Sequence, residues 1–152
     1  MDAVDIRIIA LLEQEGRLSY AALGDAVGLS KTPCWKRVRE LEARGVITGY
    51  GARVSPEALS LGVRALVHVV VSFDTYEAFE AAILEHRSVR WCQAVTGEYD
   101  YVLEILSPDM TALDELLRND LSRLPGVQRF NTSIATRMIK EAGPYSAMAQ
   151  QR

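Results

Sequence analysis

Apolar positions recur every three to four residues up to about Gly45, and from Val63 onward they alternate, so the chain changes architecture about a third of the way along. Val4, Ile8, Leu11 and Leu12 share one face of a first helix that runs to about Gln14, with Asp2 or Asp5 as its cap. Ile6 points off the far side, as an exposed apolar residue or a partner contact. Ser19 caps a second helix, Tyr20 to Val27, and Gly28 breaks it. Ser30 caps a third helix and Pro33 lies in its first turn, where a missing N–H costs nothing. Cys34, Val38 and Leu41 form that helix's inward face, Trp35 and Glu42 flank it, and Gly45 ends it. Two helices joined by a short glycine turn have the spacing of a helix-turn-helix. The β-rich segments Val46–Tyr50 and Ala52–Val54 predict a wing or hinge strand, loosened by Gly49 and Gly51.

The second half predicts a strand over Arg64–Phe73, with Val67, Val69, Val71 and Phe73 on one face and Leu66, His68, Val70 and Ser72 on the other. A helix follows over Thr75–His86, with Tyr76, Phe79 and Ile83 inward. Val89–Thr96 and Asp100–Leu106 then form a hairpin around Gly97-Glu98-Tyr99. A helix over Asp109–Leu121 turns Met110, Leu113, Leu117 and Leu121 inward, and Leu124-Pro125-Gly126 leads to a last strand, Val127–Ile139. Gly143-Pro144 ends that strand, and the tail YSAMAQQR has nothing to bury. The order β-α-β-β-α-β is that of a ferredoxin-like sandwich with both helices on one face of an antiparallel sheet. Leu66, Val70 and their neighbours cannot be left bare on the other face, which predicts a partner subunit there.

The chain therefore divides into a winged helix-turn-helix over residues 1–50, a hinge strand and linker over 51–62, a ferredoxin-like domain over 63–140 and a tail over 141–152. The fold class is α+β. No apolar run is long enough to cross a bilayer, and the N-terminus carries acids where a targeting segment would carry bases, which places the protein in the cytoplasm. Cys34 and Cys92 lie far apart without metal spacing, so neither a disulfide framework nor a metal site is expected. His68 and His86 likewise lack metal-spaced or catalytic partners, and the acidic pair Asp114-Glu115 sits on a solvent face. No enzyme and no cofactor are expected.

A net charge of −3 hides an uneven distribution. Residues 1–53 hold eight Lys/Arg against seven Asp/Glu, whereas residues 54–152 hold nine against thirteen. Lys31, Lys36, Arg37 and Arg39 fall within nine residues that contain no acid. Local clustering of this kind is the footprint of a nucleic-acid surface. In a helix-turn-helix the N-terminal end of the second helix enters the major groove, and here that end presents Ser30, Lys31, Thr32, Pro33 and Lys36. Lysine reaches guanine acceptors, and threonine and proline suit a thymine methyl. Arg37 and Arg39, on the shoulders of the helix, suit phosphates, which fix register.

The chain resembles the leucine-responsive regulatory protein/AsnC (Lrp/AsnC) family of prokaryotic transcription regulators from Asp5 to about Lys140. The residues that carry the resemblance include Val27-Gly28-Leu29-Ser30, Thr32-Pro33-Cys34-x-x-Arg37-Val38-x-x-Leu41-Glu42 and Gly45-Val46-Ile47-x-Gly49-Tyr50. They continue through Val95-x-Gly97-x-Tyr99-Asp100-Tyr101, Pro108-Asp109-Met110 and Leu124-Pro125-Gly126-Val127. The resemblance implies binding to double-stranded DNA, a small effector that is usually an amino acid, and homodimers that assemble into tetramers or octamers. It also turns an ordinary hairpin into a candidate pocket at a subunit interface. Gly97 permits close approach of backbone or simply supplies a positive φ, and Asp100 offers a carboxylate to an amino group. Tyr99, Met110 and the strand residues Ser133, Ile134 and Ala135 complete the effector set, the last three placed by position alone. Two alternatives stay open: a DNA-architectural protein indifferent to amino acids, and an amino-acid-binding module without a regulatory response.

Overall fold

The computed structural model describes residues 1–149 and divides into two compact units, one of residues 1–53 with the segment from Ile139 onward, the other Val54–Met138. In the first unit α1 (Ala3–Gln14), α2 (Tyr20–Val27) and α3 (Lys31–Ala43) enclose a core of Ile8, Leu23, Cys34, Val38 and Leu41. Asp2 and Asp5 share the cap of α1: the Asp2 carboxylate accepts from the Asp5 N–H, and Asp5 accepts from the Asp2 N–H. Such a box satisfies two otherwise orphaned donors. Ser19 caps α2 through Ala22 N–H, and Gly28 closes it at a left-handed φ of 75°. Gly24, inside α2, is a packing requirement that helical periodicity does not reveal. A Cβ there would stand 2.6 Å from the Leu29 carbonyl oxygen, so only glycine lets the turn fold back this tightly.

Three expectations change in this unit. Ser30 occupies the cap position of α3 but its hydroxyl makes no capping bond. Its carbonyl instead accepts from the Cys34 N–H. The Val46–Val54 segment forms no ladder among the described residues. The N–H groups of Val46 and Ile47 both turn back to the Leu41 carbonyl, and a β-rich run without a neighbouring edge forms no regular strand. The tail does have something to bury. Tyr145–Ala149 forms a short helix, α6, and the Glu13 carboxylate accepts from the N–H groups of Tyr145 and Ser146 and from the Ser146 hydroxyl.

The second unit is a four-stranded antiparallel sheet in the order β2-β3-β1-β4, formed by β1 (Val63–Val71), β2 (Val89–Ala94), β3 (Tyr101–Ser107) and β4 (Val127–Ile134). Helices α4 (Tyr76–Glu85) and α5 (Met110–Asn119) supply Phe79, Ile83 and Leu113 to a core with Val67, Val69, Leu103 and Ile105. This is the ferredoxin-like order expected from the alternation. Strand ends differ from expectation. The chain leaves β1 at Val71 for a 3-10 turn, which leaves Phe73 87% exposed, and β4 stops at Ile134. Met110 is the first residue of α5 and is 55% exposed, not inward, because a first-turn side chain overhangs the helix end.

Alternation places Leu66, His68 and Val70 on the sheet face away from the helices, beside Val102, Leu106 and Trp91 of the neighbouring strands. Glu104 is buried on that face between Arg64 Nη1 at 2.8 Å and Arg90 Nε at 3.1 Å. No helix among the described residues is long and apolar enough to cross a membrane.

Candidate functional site

The N-terminal end of α3 is a bare, basic surface. Ser30, Lys31, Thr32, Pro33 and Lys36 are all exposed, while Cys34, Val38 and Leu41 anchor the helix from beneath. Burial pushes the Cys34 thiol above its ordinary range, which marks it as packing. Lys31 and Lys36 form no ion pair among the described residues. Trp35, expected as a flank of the core, is 44% exposed and stands beside Lys36.

The arginines behave differently. Arg37 Nη1 donates to Asp2 Oδ2 at 2.8 Å and to Asp5 Oδ1 at 2.7 Å. The guanidinium, expected at a phosphate, here joins α3 to the capping box of α1. Its hydrogen bonds to the Asp5 and Asp2 carboxylates raise its pKa, and the Asp5 N–H and Arg37 together lower that of Asp2. Arg39 Nη1 donates to Glu42 Oε2 at 3.0 Å, and the other Glu42 oxygen accepts from the Tyr50 hydroxyl. That bond ties the segment after α3 to the helix, and burial together with it pushes the Tyr50 phenol up to about 12.

At the Gly97–Asp100 turn, Gly97 has a φ of 126°, a conformation that side chains disfavour. Asp100 is already committed: one carboxylate oxygen accepts from the Val71 N–H and the other from the Tyr76 hydroxyl, each at 2.9 Å. The Asp100 N–H also donates to the Val69 carbonyl. Asp100 thereby clasps the turn to β1 and α4. The bond to Asp100, ahead of burial, raises the Tyr76 phenol. Tyr99 lies over the sheet with its ring 5.3 Å from that of His68, and Arg129 stacks 5.2 Å from its centroid while pairing with Glu98. Neither Tyr76 nor Arg129 was signalled by the sequence, since both act through partners distant along the chain.

The expected effector residues do not converge within one chain. The turn adjoins the C-terminal end of β1, where Val69 faces Tyr101. Ser133 faces Leu66, Ile134 faces Ala65, and the Ala135 N–H donates to the Arg64 carbonyl, toward the other end of the strand. Met110 follows Ser107, which faces Val63 at that same end. The three residue steps from Leu66 to Val69 span about 10 Å, so a single small ligand does not bridge the two groups within one protomer. No cluster of metal-ligating side chains occurs among the described residues.

Comparison with known proteins agrees with this geometry. Residues 64–145 match the Lrp/AsnC ligand binding domain, and residues 1–48 match a winged helix-turn-helix DNA-binding domain. The chain is 37% identical over 145 residues to the leucine-responsive regulatory protein of Salmonella typhimurium, covering 93% of this chain and 88% of that protein. It is 38% identical over 144 residues to the Haemophilus influenzae protein of that name, covering 93% and 87%. Among solved structures, a transcriptional regulator from Neisseria meningitidis in complex with L-Met superposes with a TM-score of 0.91 at 34% identity, covering 95% of each chain. An AsnC family regulator from Agrobacterium tumefaciens gives 0.88 at 27% identity, covering 97% of this chain and 99% of that one. With the helix-turn-helix, the ferredoxin-like sheet and the relatives in agreement over nearly the full length, the chain belongs to the Lrp/AsnC family of DNA-binding transcriptional regulators.

Proposed function

We propose that the exposed N-terminal half of α3 reads the major groove and that an amino acid bound to the sheet unit modulates that binding. The observation that carries the reading is the contrast along α3: Lys31, Thr32, Pro33 and Lys36 stand bare while the opposite face is buried. Lysines without carboxylate partners among the described residues are available to base edges and phosphates. Arg37, held by Asp2 and Asp5, positions α3 against α1 rather than making a primary phosphate contact. Arg39 keeps a phosphate role on the shoulder of the helix, loosely held by Glu42.

The L-Met bound to the Neisseria relative and the leucine named in the curated relatives support an amino acid as effector. Because the two halves of the expected pocket lie at opposite ends of β1, the site is completed by a second subunit. The open sheet face with Leu66, Val70, Val102 and Trp91 supports pairing of two copies, which can assemble further into tetramers or octamers. Such a regulator works in the cytoplasm on double-stranded DNA.

The test is an electrophoretic shift of promoter DNA from the chain's own genomic neighbourhood, run with and without each of the twenty amino acids. At least one amino acid changes the apparent affinity or the stoichiometry of the shifted species. Binding that ignores all twenty would favour an architectural protein, and absence of any DNA shift would reject the groove reading.

A further inference from the structure

A pocket of about 310 Å³ opens where the turn between α4 and β2 meets the junction of β3 and α5. Its lining combines two cationic side chains, Arg87 and Arg90, with the aliphatic Leu61, Leu106 and Leu116. Ser107, only 3% exposed, also lines it. The pocket lies at the Ser107 end of β3, whereas the Gly97–Asp100 turn precedes Tyr101 at its other end, about 20 Å away along a strand of this length.

Local structure aims both arginines. The Ser88 N–H donates to His86 Nδ1 at 3.3 Å and the Val89 N–H to the His86 carbonyl at 3.2 Å, which fixes the turn that carries Arg87. The register between β2 and β3 slips between Val89 and Trp91, so Arg90 sits on the irregularity. Irregularities of this kind re-aim a side chain at a sheet edge. Arg90 is steadied by Glu104 through Nε, and its terminal nitrogens form no ion pair among the described residues. Arg87 forms no ion pair among the described residues.

We propose that this pocket binds a short aliphatic 2-oxo acid. Two guanidinium groups lining one pocket supply the N–H donors that a carboxylate accepts. The leucines take an aliphatic chain, and the volume is at the small end for ligand pockets. What the lining lacks defines the class further. No Asp or Glu lines the pocket, and both oxygens of nearby Glu104 are taken by Arg64 and Arg90. An α-ammonium would therefore meet cations without a counter-charge, whereas a 2-oxo oxygen accepts hydrogen bonds from the same donors. The inference rests on this pocket's own lining and stands whether or not the hairpin turn binds an amino acid.

Isothermal titration of the full chain with 4-methyl-2-oxopentanoate and, separately, with L-leucine tests it in the wild type, Arg87→Ala and Ala112→Leu. Arg87 is exposed, so its replacement leaves the fold in place, and Ala112→Leu adds aliphatic bulk to the lining without touching charge. The oxo acid binds the wild type, each variant weakens it by about tenfold, and any heat from L-leucine is the same in all three proteins. No oxo-acid binding to the wild type, equal affinity in Arg87→Ala, or loss of leucine binding in that variant would overturn the assignment.

Discussion

The start of α3 and the Gly97–Asp100 turn both pair a glycine-shaped turn with charged side chains, yet their hydrogen bonds go to different places. At α3, Lys31 and Lys36 are exposed and form no ion pair among the described residues, and Gly24 upstream serves the tight packing of the turn. At the hairpin, both oxygens of Asp100 are consumed by Val71 and Tyr76, and Arg129 is divided between Glu98 and the Tyr99 ring. One region keeps its chemistry for a partner, and the other spends it on holding a shape. The same division runs through the basic cluster itself, where Lys36 forms no ion pair among the described residues and its neighbour Arg37 is clasped by two carboxylates. The residue type signals what a side chain can do, and the partners decide whether it is available.

The largest expected effect breaks the hairpin clasp. Asp100→Ala removes two hydrogen bonds to a carboxylate and leaves the Val71 N–H without its acceptor, which costs about 3 kcal/mol of stability. Asp100→Asn retains an acceptor for Val71 and can still meet the Tyr76 hydroxyl, so it costs about 1 kcal/mol. Urea melts of the three proteins check this. Equal stability of wild type and Asp100→Ala would mean that the carboxylate is available to a ligand after all.

A smaller effect is expected at the tail. Burial works against the Glu13 carboxylate, but hydrogen bonds from Ser146 and Tyr145 outweigh it and hold its pKa below the ordinary 4.5. A depressed carboxyl contributes stability in full above its unfolded value, and that contribution declines as pH falls through the lower folded value. Docking of α6 should therefore weaken below about pH 4.5, and Glu13→Gln should remove about 1 kcal/mol at neutral pH, the order of a lost helix cap. Thermal melts across the acid range measure both. An acid limb unchanged by Glu13→Gln would detach Glu13 from the docking of the tail.

Much of the architecture was legible because it rests on local periodicity. The helical spacing of Ile8, Leu23, Val38 and Leu41 and the alternation of Val67, Val69 and Val71 lead directly to the two cores. The basic end of α3 was legible for the same reason, since one helix carries both its buried and its exposed faces. What escaped depends on partners distant in sequence. Arg37 meets acids 35 and 32 residues away, Asp100 meets a tyrosine 24 residues away, and the tail meets Glu13 across more than 130 residues. The β-rich Val46–Val54 segment failed for a related reason, because strand propensity forms a ladder only when another edge lies alongside.

The most direct test of the division between available and committed groups is the salt dependence of DNA affinity for wild type, Lys36→Ala and Arg37→Ala, with a melting curve for each. Lys36→Ala is expected to keep the wild-type melting temperature and to lower the log–log salt slope by about one unit, as loss of one phosphate contact does. Arg37→Ala is expected to lower the melting temperature while its slope stays at the wild-type value. A wild-type slope in Lys36→Ala together with a reduced slope in Arg37→Ala would contradict the account.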